Sequence, residues 1–165
     1  MSRPCAVTHI GITVPDIEAA IAWYRDVLGF RLIAGVPSAI ASWTPGGDGS
    51  ADAFGPDFHS CRMAHMASAN GVGIEFFEFV EPGTETPRDN FRWREVGFSH
   101  ICVSDPAIDD LVARIEASGG RMRTSRVREV YEGDPYRWVY CEDPFGNVVE
   151  IYSHSHEQVH SNRGL

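Results

Sequence analysis

Four residues stand out for the chemistry they could do. His9 and His100 lie inside short runs of β-branched and small residues, Val7-Thr8-His9-Ile10-Gly11-Ile12 and Phe98-Ser99-His100-Ile101-Cys102-Val103. Glu75 and Glu150 lie inside apolar runs, Gly73-Ile74-Glu75-Phe76-Phe77 and Val148-Val149-Glu150-Ile151-Tyr152. A carboxylate in an apolar strand is costly to bury without a partner, so something in the fold must neutralise it. Two neutral imidazoles and two carboxylates suit a divalent transition metal and leave coordination positions for water or substrate. A lone histidine in a strand is ordinarily structural. These four differ from that case because they recur at matched positions.

The recurrence is an internal repeat. Val7 to Pro15 overlays Phe98 to Pro106 at an offset of 91 (His9 to His100), with proline on proline, and the same offset puts Gly29 on Gly120. Later in the chain the offset is 75 (Glu75 to Glu150), and it also places Arg62 on Arg137 and Gly71 on Gly146. The first copy therefore carries extra residues between its helix and its third strand. One supersecondary unit used twice changes the whole fold expectation. Each copy supplies one His from its first strand and one Glu from its last. If each copy curls into half a barrel, twofold pairing brings His9, Glu75, His100 and Glu150 to one centre.

The elements that must position these residues follow from local pattern. Val7 to Val14 reads as a strand. Asp16 then caps a helix whose Ile17, Ile21, Tyr24 and Leu28 form one apolar stripe, and Gly29 ends it. Phe30 to Ala34 reads as a second strand. Cys61 to Ala67 and Gly71 to Val80 form a hairpin turning at Asn70-Gly71. The second copy repeats this order. Phe98 to Ser104 is a strand, and Asp105 caps a helix with Pro106 in its first turn and Gly119-Gly120 at its end. A strand near Arg121 to Val127 comes next. A hairpin from Tyr136 to Tyr152 closes the copy, turning at Asp143-Pro144-Phe145-Gly146-Asn147. Residues 154–165 read as a loosely held polar tail, whose His154, His156 and His160 are potential adventitious metal ligands.

The expected organisation is a single domain over 1–165. It comprises a first module at 5–81 with an insertion at 36–60, a linker at 82–95 and a second module at 96–153. The insertion is rich in Gly, Pro, Ser and Ala, with Trp43 and Phe58 embedded, and reads as a cover over a ligand site. A chain of 165 residues, 43% hydrophobic, can bury one sizeable core. A formal net charge of −9 argues against a general nucleic-acid binder, since phosphate contacts need a positive face. No apolar run approaches the ~20 residues that span a bilayer, and the first ten residues lack a signal-peptide pattern. The expectation is cytoplasmic, with no membrane partner. Cys5, Cys61, Cys102 and Cys141 have no Cys-x-x-Cys spacing and read as reduced thiols.

Thr8 to Ile12, the helix end Trp23 to Phe30, Ser99 to Val103 and the turn and strand Asp143 to Tyr152 together resemble the vicinal oxygen chelate superfamily. That group includes glyoxalase I, extradiol dioxygenases, methylmalonyl-CoA epimerase, fosfomycin-resistance enzymes and bleomycin-binding proteins. The resemblance implies an α+β fold of two tandem βαβββ modules forming a cupped, barrel-like eight-stranded mixed sheet with flanking helices. It also implies a homodimer and one divalent metal ion (Ni, Co, Zn, Mn or Fe) bound by His9, Glu75, His100 and Glu150.

This ligand set is similar to that of bacterial-type glyoxalase I. It implies lyase or isomerase chemistry by proton transfer beside a metal-chelated carbonyl or hydroxyl, with Glu75 or Glu150 as base. An Fe(II)-dependent extradiol-type dioxygenase is the alternative. Tyr140, ten residues before Glu150, fits the end of the signature of those enzymes, but the histidine expected near Tyr131 to Gly133 is missing. Tyr140 joins the two glutamates as a catalytic candidate. Epimerisation of a thioester and non-catalytic drug binding are further readings. Arg62, Arg137 and Arg123, with Trp43 and Phe58, are candidate contacts for a small, anionic substrate, because Arg matches carboxylate geometry. About one divalent ion per chain is expected, and His100→Ala should lose most of it, because few replacement donors exist. Elemental analysis of the purified variant checks this, and an unchanged metal content refutes the assignment.

Overall fold

The first helix starts where its cap directs. Asp16 Oδ1 accepts a hydrogen bond from the Ala19 N–H at 3.0 Å, and helix α1 runs over Ile17–Leu28. It ends at Gly29, whose φ of 71° is left-handed, a conformation only glycine adopts without cost. The computed structural model describes residues 3–34 and 53–161, which divide into one unit up to Thr86 and a second from Pro87. Residues 36–52 of the expected cover, Trp43 among them, lie outside the described residues.

The first unit holds strands β1 (His9–Thr13), β2 (Arg31–Ala34), β3 (Ser60–Ala67) and β4 (Gly73–Glu81), in the spatial order β1-β4-β3-β2. β1 runs parallel to β4, and the other pairs are antiparallel. Side chains alternate across the sheet. One face carries Ala64, Met66, Ile74 and Phe76, all buried, and receives α1. Tyr24 of α1 meets Phe76 edge-on at 4.8 Å between ring centroids. Burying an aromatic ring of this size stabilises by about 3 kcal/mol. The other face carries Met63, His65, Glu75 and Phe77.

The second unit repeats the plan with β5 (Ile101–Ser104), α2 (Ile108–Ala117), β6 (Arg121–Met122), β7 (Arg128–Glu129), β8 (Arg137–Glu142) and β9 (Val148–Tyr152). Its order is β5-β9-β8-β6, and β7 also pairs with β8. Ile108, Leu111, Val112 and Ile115 supply the buried stripe of α2. Both units are thus βαβββ-like modules of an α+β fold.

Three expectations need correcting. Of the single strand expected over 121–127 only Arg121–Met122 forms, and a second short strand follows at Arg128–Glu129, so the described residues contain nine strands in two sheets rather than eight. Arg123 and Thr124 both aim their N–H at the Tyr140 carbonyl, at 2.8 and 3.4 Å, so two residues oppose one and the chain leaves the ladder. Asp105 does not cap α2 directly. Its Oδ1 accepts from Ala107 N–H at 2.9 Å in a turn, and the helix begins after Ala107. Residues 156–160 of the tail are not loose either. His156–His160 forms helix α3, held by a capping box between Ser155 and Gln158 and by a fully buried Val159.

Gly29 and Gly120 match in the repeat but serve different physics. In the second unit Gly119 takes the left-handed turn, with φ 85°. Gly120 is there for space, because a Cβ would overlap the Glu142 carbonyl oxygen and lie 2.6 Å from Ile115 Cγ2. Gly120→Ala should therefore destabilise the protein by about 1–3 kcal/mol, whereas Gly83→Ala, where nothing lies within 4 Å, should be near neutral. Urea unfolding of the two variants checks the contrast.

Candidate functional site

His9 opens β1 on the face away from α1. Its Nε2 lies 3.8 Å from Glu75 Oε2 on β4. Its Nδ1 is 3.1 Å from the hydroxyl of the preceding Thr8. Two glycines make room for the pair. Gly73 lies opposite His9, where a Cβ would come within 3.0 Å of His9 Cβ. Gly11 lies opposite Glu75, so no side chain from β1 covers the carboxylate. On its other side Glu75 faces His65 of β3, with Nδ1 3.6 Å from Oε1.

The second unit contains the same arrangement, drawn tighter. His100 Nε2 is 3.0 Å from Glu150 Oε2, and His100 Nδ1 is 2.9 Å from the Ser99 hydroxyl. The His100 side chain is 28% exposed against 56% for His9, and the Glu150 side chain 10% against 19% for Glu75. Cys102 lies opposite Glu150 on β5 and Tyr140 on β8. The Tyr140 ring meets His100 edge-on at 5.2 Å. Desolvation first, then the Glu150 charge and a hydrogen bond to it, push the Tyr140 hydroxyl up to about 12. The Cys102 thiol, crowded although the residue is exposed on this face, is pushed to about 12 by the same causes in the same order. Both groups therefore stay protonated and available as donors to the carboxylate at neutral pH.

Each unit thus offers one imidazole nitrogen and one carboxylate side by side, with the other imidazole nitrogen engaged by a hydroxyl. A metal-binding histidine uses its second nitrogen in this way, which sets its tautomer and ring orientation. Among the described residues no three His, Cys, Asp or Glu side chains are arranged to hold an ion by themselves.

Residues 6–151 match the Glyoxalase/Bleomycin resistance protein/Dioxygenase superfamily. The chain belongs to that superfamily. A 2-epi-5-epi-valiolone epimerase from Actinomyces sp is 28% identical over 153 residues, covering 88% of this chain and 78% of the relative. A glyoxalase family protein of known structure from Bacillus cereus superposes with a TM-score of 0.73 at 20% identity, covering 92% of this chain and 95% of that one. A mutant of the fosfomycin resistance protein FosX from Listeria monocytogenes, crystallised with Mn(II) and 1S,2S-dihydroxypropylphosphonic acid, superposes with a TM-score of 0.61 at 18% identity, covering 98% and 100%. At these identities the solved structures establish the superfamily fold and nothing finer.

The other candidates are placed elsewhere in their units. Arg62 donates to Glu78 at 3.1 Å and to Glu18 of α1 at 2.6 Å. Arg137 donates to Asp109 of α2 at 2.8 Å. Both arginines lie three residues along their strand from His65 or Tyr140, hence on the helix face, and they are committed to helix carboxylates. Phe58 is buried, with its ring 5.0 Å from Phe54 and 6.2 Å from Phe79. Phe54 also packs on Phe77 and Phe79, so an aromatic shelf adjoins Glu75 on the same face.

Sequence reasoning missed His65 and Cys102. The signal was available, since the offset of 75 puts His65 on Tyr140 and the offset of 91 puts Gly11 on Cys102.

Arg123 is anchored three ways in the second unit. It donates to Asp89 at 3.0 and 3.1 Å, pairs with the buried Glu142, and lies over the Phe91 ring at 5.0 Å. The Arg123 guanidinium holds the Asp89 carboxyl down to about 2. A depressed carboxyl contributes stability that is present above its unfolded value near 4 and lost as pH falls through its folded value. The thermal-stability advantage of the wild type over Asp89→Asn should therefore hold at pH 5–7 and shrink steadily as pH falls from 4 through 2. Thermal melts across that range check it, and an advantage undiminished between pH 5 and pH 2 refutes it.

Proposed function

We propose that the two His–Glu pairs, His9 with Glu75 and His100 with Glu150, serve together as ligands of one divalent metal ion. On this reading the protein is an isomerase or lyase that moves a proton beside a carbonyl or hydroxyl of a small substrate. One observation carries the reading. At matched positions of both units, an imidazole Nε2 faces a carboxylate while its Nδ1 is tied to the preceding hydroxyl. The donor chemistry of the residues fits a borderline ion such as Mn, Fe, Co, Ni or Zn. The epimerase and FosX relatives support it at the level of the superfamily. The same proposal includes a homodimer, with the pairs drawn from one chain or from two.

When bound, the ion supplies Lewis acidity, stabilising negative charge on a substrate oxygen. The remaining work falls to this chain. Thr8 and Ser99 orient the imidazoles through their Nδ1 atoms. Glu75, flanked by Gly11 rather than by a side chain of β1, has room to accept a proton from substrate carbon. Glu150 is more enclosed, with the Tyr140 hydroxyl as a donor to it and Cys102 beside it. The aromatic shelf of Phe54, Phe77 and Phe79 excludes water beside Glu75, which strengthens the electrostatics there.

Glu75→Gln and Glu150→Gln should each retain part of the metal and reduce turnover by about a hundredfold or more. Turnover in deuterium oxide should place deuterium on the product carbon. Oxygen uptake with a catechol by the Fe(II)-loaded protein, without solvent exchange, would move the assignment to a dioxygenase, with Tyr140 in the catalytic set.

A further inference from the structure

Helix α3 carries a feature that the His–Glu pairs do not use. Its five residues read His156-Glu157-Gln158-Val159-His160, so the two histidines are four apart and share one helix face. Their ring centroids are 4.5 Å apart. Two imidazole nitrogens bound to one ion, each at about 2.0–2.1 Å, need rings at this kind of separation. The H-E-x-x-H spacing on a helix is a known way to present two histidines to zinc.

We infer that His156 and His160 form a second transition-metal site, independent of the His–Glu pairs. Four observations support a built dyad rather than two surface side chains. The short helix is held at its start by the reciprocal Ser155–Gln158 capping box. Val159, between the histidines in sequence, is fully buried and fixes the helix against the unit. The Tyr131 hydroxyl lies 3.1 Å from His160 Nδ1, which orients that ring and leaves Nε2 as the nitrogen for an ion. Tyr131 and Tyr152 both pack near the His160 ring, at 6.2 and 6.0 Å. His154 is not part of the dyad, because it precedes the helix and its ring packs on Tyr136 at 4.9 Å.

The class of ion follows from the donors. Two neutral imidazoles favour Cu(II), Ni(II) and Zn(II) over Mg(II) or Ca(II). With two protein ligands the remaining positions go to water or to an external donor, so binding is weaker than at a closed structural site. No third ligand joins the dyad among the described residues. The inference is therefore a binding site, and Glu157 acquires no catalytic role from the motif.

The test is titration of the chelator-stripped full chain with Ni(II) alone and Zn(II) alone, read by calorimetric stoichiometry with folding checked by circular dichroism. The wild type should show one equivalent more than His156→Ala/His160→Ala. His100→Ala should keep that equivalent, and so should His154→Ala. Tyr131→Phe should weaken it by about tenfold, as loss of a partner to a metal-bound histidine does. Should the double variant fail to fold, His156→Gln alone replaces it, because His156 is exposed, and it too should lose the equivalent. Equal stoichiometry in wild type and dyad variants overturns the proposal, as does loss of the extra equivalent in His154→Ala. Because the dyad variants leave His9, Glu75, His100 and Glu150 intact, failure here is separate from failure of the shared His–Glu site.

Discussion

A negative charge in the middle of a sheet is the constraint on which the second unit depends. Glu150 sits between Val149 and Ile151 on β9, which pairs with β5 on one side and β8 on the other, and it is almost wholly enclosed. An isolated buried carboxylate would cost several kcal/mol. The strands bring His100, Cys102 and Tyr140 to its edge, and the Tyr140 hydroxyl hydrogen-bonds to it. The pairing register is therefore tied to charge compensation as well as to apolar burial. A slip of one residue would turn Glu150 into the packed helix face.

The first unit meets the same constraint more loosely. Gly11 stands where Cys102 stands, and His65 where Tyr140 stands. Glu75 is approached by two imidazoles at 3.6 and 3.8 Å, while Glu150 has one at 3.0 Å. The repeat thus preserves the pairing of His with Glu and varies everything around it. That asymmetry suits two chemically similar carboxylates to unequal roles, since surroundings more than residue type set what a carboxylate does.

On the opposite face the charges are used for assembly within each unit. Arg62 ties β3 to Glu18 of α1, and Arg137 ties β8 to Asp109 of α2. These pairs are partly exposed and each contributes about 0–1 kcal/mol, much less than the aromatic and aliphatic contacts beside them. They place the helix relative to the strand more than they hold it. Both arginines are matched in the repeat because both copies solve the same docking problem.

Much of this protein was legible in its sequence. The repeat offsets of 91 and 75 identified both modules and paired the four site residues, because a repeated unit must keep its strand alternation and its turn glycines to fold at all. Helix α1, its Asp16 cap and its Gly29 stop, and the hairpin turning near Gly71 were readable because each depends on local backbone preference. Tertiary structure decided the rest. The two short strands β6 and β7 could not be told from one strand, since the bulge opposite Tyr140 depends on a partner strand distant in sequence. The direction of Arg62 and Arg137 was hidden because a charged residue on a strand reads alike on either face until its register is known. The order of the tail came from burial of Val159, a single apolar residue in a polar stretch whose contacts lie outside its own segment. Local chemistry named the residues, and only long-range pairing could say which of them face one another.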